Sequence, residues 1–248
     1  MTALPIAGTA LPQLLRLASP MLPVGAYAYS QGMEWAVEEG TIADENSALT
    51  WIADLLRFNV GTLEAPLWRR LYRAWQENDV ESARHWNERF IAIRETAEFR
   101  AETVQMGGAL KAVLDATREI DTGLLDQVES PAFPTAFSFA AHGLGVPLRE
   151  GLTGYMWAWA ENQVSAAMKL VPLGQSSGQR ILVKLIARLP EIADNALGMP
   201  DEGIGRKEGG GNEHEERQHG GTALMQHHGS SSDFSDDSAR SQPTPITS

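Results

Sequence analysis

The stretch LREGLTGYMWAWAENQVSAAMKLV, Leu148–Val171, is a long apolar helical pattern that becomes polar toward its C-terminal end and is closed by Pro172. Proline ends such a pattern because it has no backbone N–H and its ring clashes with the preceding turn. Other segments of the chain show the same helical spacing, whereas period-2 alternation with β-branched enrichment is absent. The sequence therefore predicts an all-α fold of roughly eight to ten helices.

Capping residues indicate where further helices begin. Asp44 or Asn46 is suited to cap one helix, and Pro66 marks a break, a kink or the first turn of the next one. Asp79 is suited to cap a single long helix that reaches about Leu114.

Glycine and proline also punctuate the middle of the chain. Gly107 and Gly108 are expected to weaken the long helix near its end. In SPAFPTAFSFAAHGLG, Ser130 is expected to cap a helix with Pro131 at its first position.

Composition divides the chain into two parts. Residues 1–204 carry all seven tryptophans and are expected to form a single helical domain. Residues 205–248 are rich in Gly, Ser, His and charged residues and have few large apolar ones. Such a segment cannot bury enough apolar surface to offset the entropy of ordering, so a disordered tail is predicted.

Charge and cysteine content limit the partners and the reactions that this protein can have. The formal net charge is -12 and there is no cysteine, which argues against nucleic acid as a partner and excludes thiolate chemistry. The N-terminus lacks the basic start of a signal peptide, and no apolar run of about 18 residues occurs. A soluble cytoplasmic protein without membrane contact is expected.

Motifs for the common enzyme classes are absent. The chain has no G-x-x-x-x-G-K-[ST] phosphate loop, no G-x-S-x-G and no H-E-x-x-H, and the globular part contains only His85 and His142. His142 is interpreted as a histidine at a helix end. Imidazoles are good ligands for nickel or zinc, so loose metal binding by the tail remains an alternative to a simple solvated tail. The tail histidines are His214, His219, His227 and His228.

The stretch SPMLPVGAYAYSQGMEWAVEEG, Ser19–Gly40, has more prolines and glycines than a core helix needs. It predicts a rigid turn followed by a helix that begins near Ala26 and ends at Gly40. Polar and aromatic side chains crowd the first turns of that helix and form a polar ridge, and they include Tyr29, Ser30, Gln31 and Glu34.

A second polar surface is expected where the helix of Leu148–Val171 ends. Glu161, Ser165 and Lys169 recur every four residues and so share one helical face. An ordinary surface row, with Lys169 interacting with the helix dipole, is the structural alternative. Further polar residues lie nearby in sequence, namely Gln163, Gln175, Gln179 and Arg180.

Three long motifs in order resemble the UreF family of urease accessory proteins. They are LLRLASPMLPVGAYAYSQGMEWAVEEG, RETAEFRAETVQMGGAL and YMWAWAENQVSAAMKLVPLGQSSGQRIL. The resemblance extends from about Leu14 to Asp201. It implies an all-α, non-enzymatic homodimer without a cofactor. That dimer binds the accessory protein UreD (UreH) and with it recruits the GTPase UreG to the urease apoprotein for nickel delivery.

The resemblance also implies where partners bind. Glu34 and Lys169 match positions suggested for the surface that faces UreG, flanked by Tyr29, Ser30 and Gln31. Gln163, Gln175, Gln179 and Arg180 lie within the C-terminal motif and are further candidates. After about Gly205 the chain lacks the apolar segment and the basic, aromatic end usual in the family, which puts part of the UreD contact in question.

Two alternatives remain open at the level of the sequence. The first is an all-α enzyme that uses Glu34 and Lys169 as an acid–base pair, which would require the two side chains to converge in a closed pocket. The second is a metal-storage protein that uses the histidines of the tail.

Overall fold

The computed structural model describes residues 9–25, 32–201 and 204. Over these ranges the chain forms ten α-helices. Their bounds are Ala10–Leu17 (α1), Met33–Glu38 (α2), Glu45–Leu55 (α3), Ala65–Gln76 (α4), Val80–Ala92 (α5), Ala97–Thr117 (α6), Phe133–Gly143 (α7), Leu148–Leu170 (α8), Gln175–Ile186 (α9) and Leu189–Gly198 (α10).

Two helical segments of other types are also present among the described residues. A π-helical segment, Leu56–Glu64, joins α3 directly to α4, and a 3₁₀ turn covers Leu125–Gln127. No strand occurs among the described residues. The prediction of an all-α fold with roughly eight to ten helices is confirmed.

Helix α4 lies at the centre of the aromatic core. Its Trp68 stacks on Tyr72 with ring centroids 5.4 Å apart, and Trp68 also approaches Phe137 of α7 and Tyr155 of α8. Some of the buried polar groups on the core aromatics are hydrogen-bonded, whereas the indole N–H of Trp68 has no partner within the described ranges. Tyr72 donates to the Val146 carbonyl at 2.7 Å.

Local capping chemistry places several helix starts where the sequence predicts them. The Asp44 carboxylate accepts from the Ser47 N–H at 2.8 Å and Asp79 accepts from the Ser82 N–H at 3.0 Å, so both residues cap their helices. Pro66 lies in the first turn of α4, directly after the π-helical segment.

The single long helix expected from Asp79 to about Leu114 is wrong, because the chain breaks between α5 and α6. Arg94 leaves the helical path there and pairs with the buried Glu64, with 2.8 Å between nitrogen and oxygen. Thr96 then caps α6 by accepting from the Phe99 N–H at 3.2 Å. The ion pair between Arg94 and Glu64 lies where α5 ends, and the Thr96 cap marks the start of α6.

The predicted start of α7 is also wrong. Ser130 adopts a left-handed φ of 51°, and the helix begins at Phe133 rather than at Pro131. Side chains of other helices satisfy the first N–H groups. Asn87 accepts from the Ala132 N–H at 2.8 Å, and Thr103 accepts from the Phe133 N–H at 3.2 Å.

Two arginines of α4 hold the end of the helical domain. Arg69 donates to the Leu197 carbonyl at 2.5 Å, and Arg70 donates through Nε to Asp201 at 2.6 Å. The predicted tail, residues 205–248, lies outside the described residues, so its disorder stays a prediction. In the part of the chain that the structure describes, no helix is both long and apolar enough to cross a bilayer.

Candidate interaction site

The Glu34 side chain is exposed in the first turn of α2. Gly32 precedes this helix with a φ of 85°, a conformation that favours glycine, so the chain enters α2 through a sharp turn. The predicted helix start near Ala26 and the candidates Tyr29, Ser30 and Gln31 lie outside the described residues. Of the predicted polar ridge, the structure therefore describes Glu34.

Lys169 is exposed in the last turn of α8. Ser165 and Glu161, one and two turns earlier respectively, are partly exposed on the same face. Partial burial raises the pKa of the Glu161 carboxyl. The predicted row of three polar residues thus lies on an accessible face, and Lys169 at its end sits where a helix dipole favours a cation.

Helices α2 and α8 pack against each other, which relates the elements that carry Glu34 and Lys169. Among the described residues, no ion pair joins these two side chains, and both are exposed. An acid–base pair needs convergence within hydrogen-bond reach. The enzyme alternative therefore has no geometric support.

Gln163 does not lie on the surface where partner contact was expected. Its side chain is fully buried, and both polar atoms of its amide lack a hydrogen-bond partner. The residue faces the interior because the face of α8 that carries it also carries the buried Met156 and Ala167. In this structure Gln163 is a core residue rather than a contact residue.

The candidates on α9 separate into two kinds. Gln175 and Gln179 are exposed, as expected for contact residues. Arg180 instead clamps α9 to α3, because it donates to both carboxylate oxygens of Glu45, at 2.6 Å from Nη2 and 3.0 Å from Nε. It also donates to the Ser177 hydroxyl at 2.8 Å. The hydrogen bond from Arg180 lowers the pKa of Glu45.

A buried polar cluster that sequence reasoning missed lies between the π-helical segment, α6 and α8. Glu64 accepts a hydrogen bond from the Tyr155 hydroxyl at 2.8 Å and pairs with Arg94 at 2.8 Å. Glu102 is buried with them, at 8% exposure. We call Glu64, Arg94, Glu102 and Tyr155 the buried charge cluster.

Electrostatics in the buried charge cluster are strongly perturbed. Burial raises the pKa of Glu102 to about 7, opposed by Arg94 and supported by Glu64. Burial also raises the pKa of the Tyr155 hydroxyl well above its usual value. For Arg94, burial is the largest single influence and lowers the pKa, but the interactions with Glu64, Tyr155 and Glu102 together raise it, and the net direction is upward. Arg94 therefore remains charged.

Part of this cluster could have been found from the sequence. Arg94 and Glu102 both belong to the motif RETAEFRAETVQMGGAL, with Arg94 just before α6 and Glu102 among the apolar positions of that helix. Glu64, between Leu63 and the α4 proline, gives no such signal. Two of the charged residues of this motif therefore support the core rather than a partner surface.

Metal ligands do not cluster in the described residues, where no group of three or more His, Cys, Asp or Glu side chains is placed to hold an ion. His142 ends α7 with its ring against Tyr72, and burial lowers its pKa. The tail histidines of the metal-storage alternative, which begin at His214, lie outside the described residues.

Comparison with known proteins identifies the family. The sequence profile of the UreF family matches residues 42–186. The chain is 50% identical over 194 residues to the urease accessory protein UreF of Dechloromonas aromatica (strain RCB), covering 77% of this chain and 85% of that protein. It is 49% identical over 203 residues to the protein of that name from Azoarcus sp. (strain BH72), covering 79% of this chain and 86% of the relative.

A third relative agrees. The urease accessory protein UreF of Methylobacillus flagellatus is 43% identical over 195 residues, covering 77% of this chain and 86% of the relative. Each alignment covers most of the helical domain, and each relative bears the name of an accessory protein rather than of an enzyme. The chain belongs to the UreF family of urease accessory proteins.

Proposed function

We propose that this chain acts in urease maturation by binding UreD (UreH) and, with it, recruiting the GTPase UreG to apo-urease for nickel delivery. The observation that carries this proposal is the 50% identity to a urease accessory protein over 194 residues. The family profile, which matches residues 42–186, includes the helix that presents Lys169. Nickel is in this account the cargo of the assembly and not a resident cofactor of the chain.

Exposed opposite charges on α2 and α8 form the proposed contact with UreG. Glu34 and Lys169 are both accessible and lie on helices that pack together. Gln175 and Gln179 on α9 extend the polar surface. A surface of this kind regulates a GTPase by ordering the switch residues of the GTPase itself, so it needs no catalytic group of its own.

The remaining expectations belong to the same proposal. The chain turns over no substrate alone, works in the cytoplasm and forms a homodimer. Residues 1–204 constitute the UreF-like domain, and residues 205–248 form a tail whose composition differs from the basic, aromatic end usual in the family. The helical domain then provides the main contact with partners.

Co-purification of UreG tests the proposal. Immobilised wild-type chain with UreD should retain UreG, whereas Glu34→Ala and Lys169→Ala should retain less UreG with an unchanged amount of UreD. Glu39→Ala, which removes another exposed acid at the end of α2 but on a different side from Glu34, is the control and should behave as wild type. Retention of UreG by all variants alike would remove both residues from the contact, and failure of the wild-type chain to bind UreD would contradict the proposal itself.

A further inference from the structure

The outer face of α9 carries a mixed polar and apolar stripe. Gln175, Gln179, Val183 and Ile186 are spaced by four, four and three residues, so they lie along one side of the helix. Val183 is 65% exposed and Ile186 is 48% exposed, although both are large and apolar. The opposite face, with Gly178, Ile181, Leu182 and Leu185, is buried in the core. The outer stripe therefore takes no part in holding the fold together.

The charge around this stripe is opposite to that of the whole protein. Between Glu161 and Glu191 the chain contains four basic residues, Lys169, Arg180, Lys184 and Arg188, and no acidic one, whereas its net charge is -12. Arg180 is neutralised by Glu45. Within the described residues, Lys169, Lys184 and Arg188 form no ion pair. After Arg180, Lys184 also acts on the Glu45 carboxyl, whose pKa both residues lower. Glu45 thus offsets the positive charge of this stretch only in part.

We propose that the outer face of α9 is a docking surface for a protein partner that offers an apolar strip bordered by carboxylates. Val183 and Ile186 supply the apolar anchors, at a spacing used by helices that dock into grooves. Lys184, one residue from Val183, supplies the charge that selects an acidic border and speeds encounter. Gln179 and Gln175, one and two turns before Val183, form hydrogen bonds with polar groups at the edge of the contact.

A second copy of the chain fits this surface less well. A symmetric contact brings the same patch of both subunits together, so Lys184 would face the basic patch of the other subunit. Like charges that face each other across an interface are unfavourable. An acidic partner has no such conflict.

This inference rests on the proposed function, because it takes the partner to be one of the proteins of the maturation assembly. It adds to that function two apolar anchors and a basic border that lie beyond the polar residues predicted from the sequence. Anchors of this kind dominate the affinity of an interface when they become buried at its centre.

The test measures the affinity of the purified full chain for UreD and for the UreD–UreG pair by biolayer interferometry, at low and at high salt. The double variant Val183→Glu/Ile186→Glu should weaken one of these complexes by at least about tenfold, because truncating or charging buried anchors costs the most. Lys184→Glu should weaken the same complex and flatten its salt dependence. Leu15→Glu, in α1 at 64% exposure, matches the exposure of Val183 and should leave both affinities unchanged.

Each outcome decides the inference. Circular dichroism and thermal melting show that the variants remain folded. Wild-type binding with no loss in the α9 variants overturns the docking surface but leaves the proposed function intact, whereas no binding by the wild type overturns both. If the α9 variants lose self-association but keep partner binding, the face belongs to a contact with a second copy. If they lose only binding to vesicles of anionic phospholipid, the face belongs to a membrane contact. Either result contradicts the proposal.

Discussion

The Tyr155 hydroxyl of α8 donates a hydrogen bond of 2.8 Å to the Glu64 carboxylate at the end of the π-helical segment. The other oxygen of the same carboxylate pairs with Arg94 in the link between α5 and α6. One buried carboxylate thus ties three parts of the chain that are distant in sequence. The break between α5 and α6, and with it the direction of α6, depends on this carboxylate.

Replacement of Glu64 by alanine should destabilise the protein strongly. The substitution leaves the Arg94 guanidinium and the Tyr155 hydroxyl buried without their partner, and loss of one member of a buried pair costs about 3–5 kcal/mol. The free energy of unfolding, measured by urea titration at neutral pH, should fall by an amount in this range.

Glu81 provides the control for that substitution. It pairs with Arg84 on α5, but its side chain is 82% exposed. Exposed pairs contribute about 0–1 kcal/mol, so Glu81→Ala should change the unfolding free energy little. Equal losses in the two variants would show that the burial of Glu64 has no energetic significance.

Glu102 should make stability depend on pH. Its pKa in the folded chain is about 7, against 4.5 for an unperturbed glutamate, so the folded state binds this proton more tightly than the unfolded chain does. Its contribution to the unfolding free energy is therefore largest below about pH 4.5, falls as the pH rises toward 7 and is lost above that value. Glu102→Gln should remove this decline.

The measurement compares urea titrations of wild type and Glu102→Gln at pH 5.5 and pH 8. The variant should gain about 1–3 kcal/mol relative to wild type on going from the lower to the higher pH, since one pKa unit corresponds to about 1.4 kcal/mol. Glu98→Gln, on the exposed first turn of α6, serves as the control. Parallel pH curves for wild type and Glu102→Gln would contradict the assigned pKa.

Two adjacent glycines of α6 should respond oppositely to alanine. A Cβ at Gly107 would overlap the Pro131 carbonyl oxygen, whereas a Cβ at Gly108 meets nothing within 4 Å. Gly107→Ala should lower the melting temperature because backbone must move. Gly108→Ala should stabilise by about 0.5–1 kcal/mol, as expected for an unstrained helical site. A stable Gly107→Ala protein would contradict the close packing of α6 on the segment before α7.

Local chemistry explains which parts of the fold could be predicted from the sequence. Asp44 and Asp79 cap helices through side chains that reach three residues along the chain, so nearby residues suffice to predict them. The break at Arg94 depends on Glu64, thirty positions earlier, and the start of α7 depends on Asn87 and Thr103. The spacing of apolar residues within one segment gives no information about partners that are distant in sequence.

The candidate interaction site, like the fold, is predictable from the sequence only in part. The exposure of Glu34, Lys169, Gln175 and Gln179 agrees with helical spacing. Gln163 and Arg180 are candidates because they lie within the C-terminal motif, yet Gln163 is fully buried and Arg180 is bound by Glu45. Residue type alone does not show which side of a helix such as α8 faces solvent.

Activation of urease in a host that lacks its own UreF tests the central claim most directly. The full chain, expressed with urease, UreD and UreG from its own source, should restore urease activity when nickel is supplied. Glu34→Ala and Lys169→Ala should restore much less while still binding UreD, and Glu39→Ala should restore wild-type activity. Failure of the wild-type chain to restore any activity, with the folded protein present in the cells, would contradict the assignment of this chain to urease maturation.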